Sequence, residues 1–150
     1  MRKLLIPIDG SPASVKAAEK AIALGKLIDS ELIFVTVVNM PSEEKYSYFG
    51  MNVENQFIAN RKEMLNRLIQ EETKMLKIIV RNLDTSDLKV TQKILVGKTA
   101  EEIIKIAEEE KIDYILMGRR GFSPVERFFV GSVTQKVLAS APCPVIVVNG

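Results

Sequence analysis

Apolar residues along this chain alternate between two spacings, and the alternation predicts the order of its elements. Residues 4–8 form a short apolar run that ends in a turn, Asp9-Gly10-Ser11-Pro12. Ser11 is a candidate N-cap, and Pro12 suits the first helical position, where a missing N–H costs nothing. Val15, Ala18, Ile22 and Leu27 then fall on one face of a helix expected to end near Asp29. Residues 32–38 are almost continuously apolar and β-branched, the pattern of a strand buried on both faces of a parallel sheet. Residues 41–53 show no period and read as an irregular excursion. Phe57, Met64, Leu65, Leu68, Met75 and Ile79 return at helical spacing, in one amphipathic helix or two separated near Glu71.

A third strand is expected over 89–96. Gly97 then turns the chain, and Thr99 with Glu102 suggests a capping box for a helix carrying Ile103, Ile104 and Ala107. Residues 113–117 read as the fourth strand, 133–139 as the last helix and 144–148 as the fifth strand. Strands alternating with helices, without hairpin turns, predict an α/β fold. The expected form is an open parallel five-stranded sheet with helices on both faces, in one domain over 1–150. Ligands of such sheets sit at the carboxyl ends of the strands, where strand order reverses. The ends of the first and fourth strands, at Pro7 and Asp9 and at Met117 and Gly118, are therefore the candidates.

Composition narrows the chemistry. The formal net charge is +2 and the apolar share 47%, which makes no case for a nucleic-acid or membrane partner. The basic start, Met1-Arg2-Lys3, precedes an apolar run broken by Pro7 and Asp9, too early for an export signal. A cytoplasmic protein is expected, and the single cysteine, Cys143, fits a reducing compartment. There is no histidine, so a Cys–His nucleophile, a Ser–His–Asp triad and a His-ligated zinc are excluded. The chain also lacks a Walker loop, and Asp9-Gly10-Ser11-Pro12 lacks the dinucleotide glycine fingerprint.

The informative stretch is 117–121, Met-Gly-Arg-Arg-Gly, with Gly131, Ser132 and Val133 farther on. Glycines after a strand let backbone approach a ligand. A helix opening at Gly131 and Ser132 offers N–H groups without internal partners, which favour an anion. The Ser132 hydroxyl can donate to phosphate, and Arg119 and Arg120 can add charge-assisted bonds. The plainer alternative is a turn followed by an ordinary capped helix.

Gly118, Gly121, Gly131 and Ser132 spell Gly-x-x-Gly, nine residues, then Gly-Ser. That resembles the ATP-binding signature of the universal stress proteins. The likeness extends through Ile6-Pro7-Ile8-Asp9-Gly10-Ser11, the Gly97-Lys98 turn and the closing Cys143-Pro144-Val145-Ile146-Val147-Val148. It implies a Rossmann-like fold of the adenine nucleotide alpha hydrolase kind that binds ATP, with Mg or Mn. By the same resemblance Asp9 lies at the nucleotide and metal, and Pro7 and Val37 flank the adenine. Met117, Gly118, Arg119, Arg120 and Gly121 follow the ribose and phosphates, Gly131, Ser132 and Val133 hold the phosphate tail, and Gly97 lines the same cleft. A homodimer through Val145, Ile146, Val147 and Val148 is also implied, because an apolar terminal strand needs cover. Asp9 has a second reading, capping the first helix with Ser11. The two arginines have one as well, as solvated side chains beside an empty groove.

The expected role is a dimeric regulatory stress-response module that signals to a protein partner, with slow ATP hydrolysis at most. Two alternatives stand beside it. One is an RNA-binding protein using the Gly118–Gly121 loop as a KH domain does, although that loop joins two helices. The other is a nucleotide-free stress or scaffold dimer.

Overall fold

A computed structural model describes residues 1–39, 54–121 and 130–149, with side chains for all of these but 54–59. The elements run β1 (Arg2–Pro7), α1 (Pro12–Ile28), β2 (Ser30–Val38), α2 (Glu54–Arg81) and β3 (Lys89–Val96). They continue with α3 (Thr99–Glu109), β4 (Tyr114–Gly118), α4 (Ser132–Ser140) and β5 (Val145–Val148). All strand pairs are parallel and the sheet order is β3-β2-β1-β4-β5. The α/β parallel architecture is the one the hydrophobic pattern predicts. The irregular segment 41–53 and the loop 122–129 lie outside the described residues.

Side-chain alternation along the central strands builds two cores. Leu4, Ile6, Leu32, Phe34 and Leu116 face one side, where Ala18, Ala21 and Ile22 of α1 and Leu76 and Val80 of α2 cover them. Leu5, Ile33, Val35, Ile115 and Met117 face the other, against Ile103 and Ile106 of α3 and Val137 of α4. The period of two places neighbours on opposite faces, so a strand covered on both sides must be apolar throughout. β2 meets this condition along nearly its whole length.

Helix ends follow local chemistry. Ser11 caps α1, its Oγ accepting the Ser14 N–H at 3.3 Å, and Pro12 occupies the first turn. Asp29 ends that helix at φ 52°, as the apolar pattern suggests. α2 is one helix through Glu71, with no break. The capping box expected at Thr99 is not formed. Lys98 is the N-cap, without a side-chain cap, and Thr99 is the first helical residue. Gly97 is the cause: at φ 150° it turns the chain one residue early. Glu102 folds back so that its Oε1 lies 2.6 Å from where a Gly97 Cβ would be.

Candidate functional site

The ends of β1, β2 and β4 open into a cleft of about 440 Å³ at the switch point of the sheet. That volume lies within the range of small-molecule sites, ~300–1,000 Å³. The floor is fixed by the strands. The Ile8 N–H donates to Val35 O at 2.8 Å, and the buried Thr36 hydroxyl donates to Ile8 O at 2.8 Å. These bonds hold the β1 and β2 ends together, with Pro7, Val37 and Met117 giving the cleft an apolar side.

Asp9 follows directly and takes up the capping role considered for it. Its Oδ1 accepts the Ser11 N–H at 2.8 Å, an Asx turn that leads into the Ser11 cap. Its Oδ2 lies 2.6 Å from where a Cβ on Gly121 would be, so the carboxylate fills the space that Gly121 leaves. The loops after β1 and after β4 thereby meet across the cleft mouth.

Gly118 is the last residue of β4 rather than the first residue after it. Its missing side chain serves packing: a Cβ there would lie 2.8 Å from Ala13 Cβ and 2.9 Å from the Ala13 carbonyl carbon. The loop beyond it is closed at its base. Gly131 N–H donates to Arg119 O at 2.8 Å, and the buried Thr134 hydroxyl donates to Gly118 O at 3.0 Å. Gly131 is the N-cap of α4 and has no side chain to offer the first turn. The N–H groups of Ser132, Val133 and Thr134 belong to that turn, which lacks intrahelical acceptors, and all three residues line the cleft.

Ten of the twelve residues singled out in the sequence line one cleft: Pro7, Asp9, Val37, Met117, Gly118, Arg120, Gly121, Gly131, Ser132 and Val133. Gly97 and Arg119 do not. Gly97 ends β3, an edge strand separated from the cleft by β2, and its N–H donates to Val38 O. Arg119 turns its backbone toward β5, donating its N–H to Val148 O at 3.0 Å.

Several lining residues carry no motif. Thr99 and Ile103 bring the start of α3 to the cleft, and Ser14 and Thr134 repeat the helix-start positions of Ser11 and Gly131 one turn later. Glu72 arrives from the middle of α2. Burial pushes its carboxyl up from the usual range, with the charges of Glu71 and Asp9 adding to the shift. Among the described residues no group of three or more His, Cys, Asp or Glu could hold a metal by itself. Cys143 lies away from the cleft, packed against the α3–α4 core, and burial and the Asp113 charge raise its thiol.

The model of the universal stress protein family matches residues 1–149. The chain belongs to that family. It is 34% identical over 149 residues to the universal stress protein MJ0531 of Methanocaldococcus jannaschii, covering 99% of this chain and 82% of the relative. The solved structure of MJ0577, from the same organism, superposes with a TM-score of 0.81 at 30% identity, over 99% of this chain and 96% of the other. A universal stress protein solved in complex with cAMP shares the fold at 18% identity, with a TM-score of 0.59 over 98% of this chain and 95% of the other. Among the described residues no helix of this universal stress protein is long and apolar enough to cross a membrane.

Proposed function

We propose that this universal stress protein binds ATP in the cleft and acts as a dimeric regulatory module. One observation carries the reading. The first turn of α4, whose N–H groups lack intrahelical acceptors, faces the cleft, and its N-cap, Gly131, has no side chain, so a triphosphate has room beside its donors. Pro7, Val37 and Met117 offer apolar contact to the adenine. Arg120 and the amides of Ser132 and Val133 reach the phosphates. Asp9 Oδ2 is the oxygen not taken by Ser11, and with phosphate oxygens it fits Mg or Mn, which commonly use one or two carboxylates plus phosphates. Such a cation would screen the phosphate charge. The relative seen with cAMP supports an adenine nucleotide in this fold.

Binding rather than turnover is the role in this reading. Asp9 is held by its Asx turn, and no histidine is present to take a proton from water. The RNA-binding reading has less support, because Gly118 ends β4 and Gly121 lies just beyond it, instead of the two joining a pair of helices. Acid extraction of the purified protein, with chromatography of the supernatant, tests the main reading. An adenine nucleotide is expected to be released, and RNA fragments in its place would favour the alternative.

The dimer rests on β5. It is an edge strand of the sheet, Val145–Val148, with no charged residue to deter pairing. Ile146 is 37% exposed on it, and Leu138 is 46% exposed on the neighbouring α4. Ile146→Asp is expected to convert a dimer to a monomer in sedimentation while ATP affinity stays within about twofold, since one buried charge per protomer disfavours an apolar interface. An unchanged dimer would place the interface elsewhere.

A further inference from the structure

Among the described lining residues, Glu72 is a carboxylate outside the glycine motif whose presence runs against the ligand proposed for the cleft. Among the described residues the lining holds two carboxylates, Asp9 and Glu72, and one cation, Arg120. No described cation pairs with either carboxylate. All the influences on the Glu72 carboxyl act in one direction, those of a charge short of both water and counter-charge. The side chain is held there by α2, whose Leu76 and Val80 anchor the following turns in the core. A helix fixed in this way keeps the Glu72 backbone at the cleft when an anion enters.

We infer that Glu72 is a charge filter: it makes the cleft take the cation-complexed nucleotide and disfavours the bare polyphosphate. The inference rests on the ATP reading and goes beyond it, since it assigns a selectivity to a residue outside the glycine motif. The physical basis is Coulombic. A carboxylate in a half-buried cleft repels a nearby phosphate by far more than it would in water, because the effective dielectric is lower. A divalent cation bound to the phosphates reverses the sign of that interaction. Adenosine, without phosphates, should not sense the residue.

The test is a set of isothermal titrations of nucleotide-stripped wild type and Glu72→Gln with ATP plus Mg²⁺, ATP plus EDTA, and adenosine. Wild type is expected to prefer ATP with Mg²⁺ over ATP in EDTA. Glu72→Gln should tighten ATP binding in EDTA by about tenfold, leave adenosine unchanged and so compress the preference. Glu72→Asp should restore most of it, and Glu71→Gln, on the exposed neighbouring position, should leave it unchanged. Melting curves of the variants check that each is folded. An identical Mg²⁺-to-EDTA ratio in wild type and Glu72→Gln overturns the filter while the ATP reading stands. Loss of slow ATP hydrolysis with no change in that ratio also overturns it, making Glu72 a general base. Wild type that binds none of the three ligands overturns both readings together.

Discussion

Gly131→Val is expected to weaken ATP binding by at least about a hundredfold while the protein remains folded. The backbone permits the change, because Gly131 sits at φ −60°, ψ 156°, a conformation open to any residue. The packing permits it too. A Cβ would lie 3.4 Å from Arg120 Cα and 3.5 Å from Arg119 O, contacts that need little movement. Losing glycine at an N-cap costs the helix start only about 1 kcal/mol. The γ-methyls are another matter, since they add bulk between the N-cap of α4 and the 119–121 backbone, both at the cleft proposed to hold the phosphates. Titration with ATP beside a melting curve separates the two effects. Normal binding by a folded Gly131→Val protein would show that the phosphates lie elsewhere.

Gly118→Ala is expected to behave in the opposite way, losing stability first. Its Cβ would meet the Ala13 carbonyl carbon at 2.9 Å and the Ala13 carbonyl oxygen at 3.0 Å, backbone atoms of α1 that have no rotamer to change. Relief requires α1 to move off β4, and overpacking of this kind costs about 1–3 kcal/mol. For a chain of this size each 1 kcal/mol lowers Tm by about 2–4 °C. Adding Ala13→Gly removes the 2.8 Å contact with the Ala13 methyl. It leaves the backbone contacts, so a double-mutant cycle should recover only part of the loss. Full stability in Gly118→Ala would mean that the close approach of α1 to β4 is not required by the fold.

The contrast between these glycines marks where the sequence was legible and where it was not. Both belong to the same spaced motif, and spacing alone cannot distinguish a glycine kept for a helix–strand contact from one kept for a ligand. The strands were readable because each carries a short apolar stretch and most are bounded by a breaker. β3 occupies the expected residues, 89–96. β4 runs one residue farther than expected because its last member, Gly118, looks like the breaker itself. The start of α3 was misplaced by one residue, since a backbone at φ 150° leaves no mark on the pattern beyond a glycine. Of the site, the parts next to strand ends and helix starts could be read, because topology alone brings those together. Glu72 could not. In the sequence it is one acidic residue among the charges of a long amphipathic helix, and only the tertiary packing of α2 turns it to the cleft.

Arg120 and Asp9 show how neighbouring groups in one motif are put to different structural uses. The Asp9 turn prepares the α1 cap with one oxygen and leaves the other toward Gly121. Arg120 lines the cleft while its neighbour Arg119 closes the base of the loop. A pair that looked equivalent in sequence is divided between the cleft lining and the loop base.

ATP binding in the cleft bounded by Asp9, Gly121 and Gly131 is tested by calorimetric titration of nucleotide-stripped wild-type protein with ATP and Mg²⁺. Saturable binding at one nucleotide per chain is expected. No heat of binding up to millimolar ATP, with the protein folded by its melting curve, would contradict it.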